Sequence, residues 1–269
     1  VLAAISNTDY EGEIRQYGDT VNIRTTPEIT IRTYTKGQTL QVENPDKPKI
    51  QLMIDKGEYF SCIEDDVDKV QSDINMMDTW SKDASERMKI KIDQRVLTDI
   101  LPDISSLNKG NTAGRITANI DLGSTGTPVA ITKTNVLEYI VDMGTVLDEA
   151  NAPESDRFIV IPAKMAGMIK KSDFKSALVT GDNVSIMRNG QLGMIDRFTV
   201  YMSHNLSQSS GKFSIIAGHK MGFTFASQMT NMETIRSEST FGNVIRGLQV
   251  YGYKVVKPEA LSQGVVTLA

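Results

Sequence analysis

The residue types here that could do chemistry are few, and their spacing does not bring them together. His204 and His219 are the two histidines, and neither has a partner at the His-x-x-x-His spacing that sets two imidazoles on one helix face for zinc. Gly211-Lys212-Phe213 lacks both the upstream glycine and the following Ser or Thr of a phosphate-binding loop. No Gly-x-Gly-x-x-Gly run opens a helix and no Gly-x-Ser-x-Gly elbow presents a nucleophile. The single cysteine, Cys62, rules out an intrachain disulfide and a thiolate cluster built from one chain. A Cys–His pair assembled in space would be a nucleophile. The plainer reading of Cys62, within Tyr59-Phe60-Ser61-Cys62-Ile63, is a small buried hydrophobe. The run Glu64-Asp65-Asp66 could hold a cation, but carboxylates also favour a helix N-terminus, and a helix is expected to begin there. Catalytic residues, cofactor and metal are therefore all read as none.

Function must then be sought in the elements. The 269 residues suffice for one large domain or two modest ones, and a 40% apolar, 23% charged composition can bury a sizeable core. Thirteen methionines suit irregular cores or adaptable interfaces. No apolar run approaches the roughly 20 residues of a membrane-crossing helix. The net charge of −4 is not that of a protein that grips phosphates through Lys and Arg. The sequence opens at Val1 rather than Met, so residues removed or left out ahead of it are expected.

Residues 1–18 show no period and read as an extended arm. Thr20–Arg24 alternates, Pro27-Glu28 breaks the pattern, and Ile29–Tyr34 alternates again. Leu40-Gln41-Val42 and Ile50–Ile54 flank the turn-rich Asn44-Pro45-Asp46-Lys47-Pro48. These pieces predict a long hairpin. A two-stranded ribbon is marginal in water, so this one must lie on something else, such as a neighbouring subunit. From Asp66 the period changes: Val67, Val70, Ile74, Met77, Ala84, Met88, Ile92, Val96 and Ile100 form one stripe of a long helix. Acidic residues fill its first half and basic ones its second, which complements the helix dipole. Residues 104–126 read as loop with a short strand at Arg115–Ile120. A second helix is predicted over Asn135–Ala150 and a short one over Ala163–Lys171. Strands are predicted at Phe158–Ile161, Phe198–Met202, Phe213–Ala217, Phe223–Phe225, Thr234–Arg236 and Gln249–Val255. The class is α+β.

The order of these elements, with a few local signatures, resembles the tailed-phage major capsid proteins of the Hong Kong 97-type fold over nearly the whole chain. Asp9–Ile14 followed by Gly18–Val21 is similar to the family's N-terminal arm entering its extended loop. The helix from Asp66 resembles the long spine helix. Gly190–Ser203, ending in Ser203-His204-Asn205-Leu206, is similar to an axial-domain strand, and Tyr251–Leu261 to the usual ending. The resemblance implies an arm (1–18), an extended β-hairpin loop (19–65), a peripheral domain (66–130 and 221–269) and an axial domain (131–220). It implies contacts with other copies through the loop tip (Lys36, Gly37, Gln38, Asn44, Pro45, Asp46, Lys47, Pro48) and the arm (Tyr10, Glu11, Ile14). Val67, Val70, Ile74, Met77 and Met88 would pack the spine helix.

The expected partners are copies of the chain in hexamers and pentamers, with scaffolding, portal and decoration proteins. Double-stranded DNA would be enclosed without sequence-specific binding, and no membrane is involved. The location implied is the virion, after assembly in the host cytoplasm. Some family members crosslink through Lys and Asn side chains, but those positions find no match here. Two other readings compete: an encapsulin-like shell enclosing a protein cargo, and an α+β enzyme or binding protein that stays a small oligomer.

Overall fold

The computed structural model describes residues 1–9, 20–24, 29–43, 49–65, 76–172, 193–238 and 240–268. The helices are α1 (Leu2–Ile5), α2 (Met76–Asp99), α3 (Val136–Glu149) and α4 (Ala163–Lys171). The first strands are β1 (Thr20–Arg24), β2 (Lys49–Met53), β3 (Lys56–Asp65), β4 (Val129–Ile131), β5 (Arg157–Ile161) and β6 (Met194–Ile195). They are followed by β7 (Phe198–Met202), β8 (Gln208–Ser209), β9 (Lys212–His219), β10 (Phe223–Arg236), β11 (Gly242–Val255) and β12 (Leu261–Leu268).

Strand β5 is buried along its whole length. Successive side chains of a strand point to opposite faces, so the run Phe158-Ile159-Val160-Ile161 needs cover on both. It lies within a seven-stranded sheet of order β4-β12-β9-β5-β7-β6, with β8 paired to β9. Ile159 and Ile161 face a core shared with α3 and α4, through Ile140, Met143, Leu147, Met165 and Ile169. Phe158 and Val160 face a second core, where Ile92 and Val96 of α2, with Ile100 just beyond its end, meet Phe223 and Tyr251. Phe158 packs edge-on against Phe223, with ring centroids 6.3 Å apart.

The second core is closed by a three-stranded antiparallel sheet, β10-β11-β3. Helix α2 crosses it, placing Met88, Ile92, Val96 and Leu97 inside. A third, small core joins β1 and β2 to this sheet through Val21, Ile23, Leu52 and Ile54 against Ala226 and Val250.

Strand β1, helices α3 and α4, and strands β5, β7 and β9 form where the periodicity places them. Other expectations are corrected. Residues 1–9 are no free arm: α1 buries Leu2 and Ile5 in the second core, and Asn7 bridges to Thr224. Ile29–Tyr34 and Leu40–Val42 carry no strand ladder, and their side chains are exposed. Arg115–Ile120 is not a strand. It contributes one bridge, Ala113 to Ile120, and the strand of this region is β4. Glu64 and Asp65 are the last residues of β3, and the expected helix start at Asp66 lies outside the described residues. Cys62 is half-buried, on the side of β3 opposite Ile245. The two strands predicted within 223–236 are one, with an irregularity between Met229 and Asn231. Strand β12, in the span assigned to the peripheral domain, hydrogen-bonds β9 and β4 of the seven-stranded sheet. It is short on large residues, and Gly264 leaves room for the Tyr139 hydroxyl, which donates to Leu122 O at 2.9 Å.

The packing predicts a sharp contrast within α2. Ile92 is 3% exposed and Ile90 is 51% exposed. Ile92→Ala should cost about 2–5 kcal/mol in denaturant unfolding, and Ile90→Ala about 0.5 kcal/mol or less. Equal losses would contradict the placement of the helix.

Candidate assembly surfaces

The ladder at the base of the hairpin and the described contacts at its tip fit one register. β1 pairs β2 antiparallel, with Thr20 opposite Met53 and Arg24 opposite Lys49. Carried outward, that register sets Thr30 opposite Glu43, and these two side chains are hydrogen-bonded at 3.3 Å. It also sets Thr35 opposite Gln38, where Gln38 N donates to Thr35 O at 3.1 Å and the Thr35 hydroxyl donates to Gln38 Oε1 at 3.0 Å. The chain therefore reverses at Lys36-Gly37. Gly37, at φ +89°, occupies the third turn position, where a type II turn needs a left-handed residue. Of the expected tip residues, Lys36, Gly37 and Gln38 form this exposed turn. Asn44, Pro45, Asp46, Lys47 and Pro48 lie outside the described residues.

The same register sorts the side chains by face. Val21, Ile23, Ile50 and Leu52 share the face that packs on the body at the base. Counted outward in that register, Ile29, Ile31, Leu40 and Val42 fall in phase with those residues, and Arg32, Tyr34 and Gln41 fall out of phase. None of the distal residues is covered: Ile31 is 91% and Val42 95% exposed. A ribbon that buries its apolar face at its root leaves that face bare at its end. This is a surface built to meet another molecule.

A second apolar surface lies on the side of β10-β11-β3 that faces away from α2. Tyr59, 78% exposed, stands opposite Leu248, and Ile63 stands opposite Val244, which pairs Ile235 in turn. An ion pair between Arg246 and Glu233 crosses the middle of this face. Phe241, 81% exposed, projects from the turn between β10 and β11.

The strand that carries the ribbon is fastened to the spine helix by charge. Glu58 of β3 receives Lys91 at 2.8 Å and Arg95 at 3.2 Å, one helical turn apart on α2. Tyr253 donates to Asp99, and the Lys56 ammonium lies 4.6 Å from the Tyr253 ring centre. The hydrogen bond from Lys91 holds the Glu58 carboxyl below the usual range, against the opposing effect of partial burial, with Arg95 adding to it.

Sequence reasoning did not single out Glu58, although its place on the helix-facing side of an alternating strand is a readable signal. It also missed Asn108. This residue is buried and its amide donates to Glu259 O at 2.7 Å and Leu261 O at 2.9 Å, fixing the entry to β12. Nothing in the local sequence marks that role. Among the expected packing residues, Met88 lies in the second core. Val67, Val70 and Ile74, the side chain of Met77, and the arm residues Tyr10, Glu11 and Ile14 lie outside the described residues. Among the described residues, no group of three or more His, Cys, Asp or Glu side chains could hold a metal.

A family model described as phage capsid protein matches residues 51–263, more than half of the chain. The chain belongs to the phage capsid proteins. Solved structures agree on the fold. One from Mycobacterium phage Che8 superposes with a TM-score of 0.75 at 23% identity, covering 98% of this chain and 90% of that one. The capsid structure of cyanophage P-SCSP1u gives a TM-score of 0.64 at 14% identity, with 95% and 85% covered. The capsid of Ralstonia phage GP4 gives 0.65 at 12%, with 99% and 87% covered. No curated protein matches. This capsid protein therefore has the Hong Kong 97-type fold and is a virion component. The encapsulin-like reading gives way to it.

The Glu58 clasp predicts an acid-dependent stability. Its carboxyl is depressed in the folded state, so the contribution is present above the unfolded value near pH 4.3 and is lost as pH falls through the folded value. Glu58→Gln should lower unfolding stability by about 1 kcal/mol at neutral pH, and the gap to wild type should narrow as pH falls through the folded value. A gap independent of pH would refute the ionic clasp.

Proposed function

We propose that this capsid protein is the major shell subunit of a tailed double-stranded DNA phage. Copies form hexamers and pentamers that close an icosahedral shell in the host cytoplasm. Scaffolding and portal proteins direct closure, decoration proteins bind the finished surface, and DNA is enclosed without base-specific contact. The subunit acts structurally, not as a catalyst. Residues 19–65 serve as the extended loop, residues 10–18 as an arm toward a further copy, and the two sheets mark axial and peripheral units.

The observation that carries this reading is the ribbon whose apolar face is buried at its base and bare from Ile29 to Val42. A second copy is the natural cover, since every subunit in a closed shell offers the same surface to a neighbour. Covering each large aliphatic side chain is worth roughly 1.5–3 kcal/mol. Four per subunit, repeated around a shell, make weak contacts sufficient. The acidic net charge suits a wall that contains DNA without adhering to it.

Ile31→Asp combined with Val42→Asp tests this directly. Both side chains are exposed, so the thermal unfolding of the isolated subunit should be unchanged. Sedimentation and negative-stain microscopy should show that shells no longer close. Shells of normal yield and size would remove the loop from the assembly mechanism.

A further inference from the structure

Two of the chain's passages between its two sheets run directly from strand to strand, β9 to β10 and β11 to β12, and these two meet at one place. β9 leaves the seven-stranded sheet at His219, turns through Lys220–Gly222, and enters the three-stranded sheet as β10. β11 returns through Val256 and Lys257 and the turn Pro258–Ala260 to become β12. The Gly222 carbonyl accepts both returning amides, from Val256 at 2.9 Å and from Lys257 at 3.0 Å. A Cβ at Gly222 would sit 2.6 Å from Leu261 Cδ2, so the passages are as close as glycine allows.

His219 holds the first passage in shape. Its side chain is 5% exposed, and its Nδ1 accepts the Met221 amide proton at 3.1 Å, capping the turn. An Nδ1 that accepts a hydrogen bond belongs to a neutral imidazole. The charged groups around it come from each element packed there: Asp156 and Arg157 at the start of β5, Lys220 in the turn, and Lys257 on the returning passage. Arg157, directly opposite His219 in the sheet, is itself buried and bound to Asp148 at 2.7 Å.

We propose that His219 is an acid-sensitive pin at this double passage. Neutral, it locks the turn and with it the relative setting of the two sheets. When Nδ1 takes a proton from solvent, it can no longer accept the Met221 amide. The new cation then faces Arg157, Lys220 and Lys257, opposed by Asp156, which is already paired with Lys220 at 3.9 Å, and the junction loosens. Burial holds the imidazole below its ordinary value; Asp156 opposes this and the three cations reinforce it. The sign follows. A depressed folded value means that the pin is fully present above the unfolded value near pH 6.5 and fails as pH falls through the lower folded one. If the shell reading above holds, acid would then change the angle between the sheets and the curvature that a subunit adopts.

The test is amide exchange with residue-level mass spectrometry on the unassembled full chain, so that its outcome does not depend on shell formation. Protection of the Met221, Val256 and Lys257 amides, corrected for intrinsic rates, should fall on the order of tenfold between about pH 7.5 and about pH 5. The Tyr139 amide in α3 serves as the internal reference and should keep its protection. His219→Asn retains an acceptor at the cap but does not titrate, so its junction protection should be flat with pH. Should that variant not fold, His219→Gln makes the same comparison. Constant protection in the wild type, or the same loss in the non-titrating variant, would overturn the proposal.

Discussion

The demand that β5 makes for cover on both faces organises the molecule. Phe158 and Val160 look one way and Ile159 and Ile161 the other, so neither side of the seven-stranded sheet can be left to water. Two short helices answer one side. The other is answered by the C-terminal half of α2, by α1 and by the three-stranded sheet, which share a core with Phe158 and Val160. The chain reaches that arrangement in part by running β9 straight on into β10 and β11 back into β12, so two strand-to-strand passages sit beside the core that the sheets share.

Once both faces of β5 are covered, the hairpin has nothing left to lie on beyond its root. Its first pairs borrow a patch of the three-stranded sheet, at Ala226 and Val250. Farther out it keeps its register and its amphipathic character but has no cover. An uncovered amphipathic ribbon is costly to a solitary protein and useful to one that assembles, because burial is deferred to a partner. Glu58, clasped by Lys91 and Arg95, ties the ribbon's exit strand to the spine helix.

The parts legible in the sequence were those where one periodicity dominates. Ile140, Met143 and Leu147 announce a helix, Phe158 to Ile161 a buried strand, and Met88 to Ile100 one stripe of α2. The need of the hairpin for a neighbour was also readable, since alternation without bulk implies a thin ribbon. What escaped depends on contacts distant in sequence. β12 carries few large residues because Gly264 must make room for Tyr139, and that requirement is invisible locally. Asn108 and Glu58 draw their roles from partners far along the chain. The alternation of Ile29 to Tyr34 was read as a strand, yet a ladder needs a surface to support it. Leu2 and Ile5 looked like part of an arm because four residues cannot display a helical period.

The central claim is that the bare face of the ribbon is buried by a second copy. A cryo-electron microscopy map of shells assembled from this chain tests it most directly, at a resolution that shows side chains. The account predicts that Ile31, Leu40 and Val42 lie in contact with an adjacent subunit, with little of their surface left to solvent. A shell in which that face points into solvent, while other surfaces hold the subunits together, would contradict it.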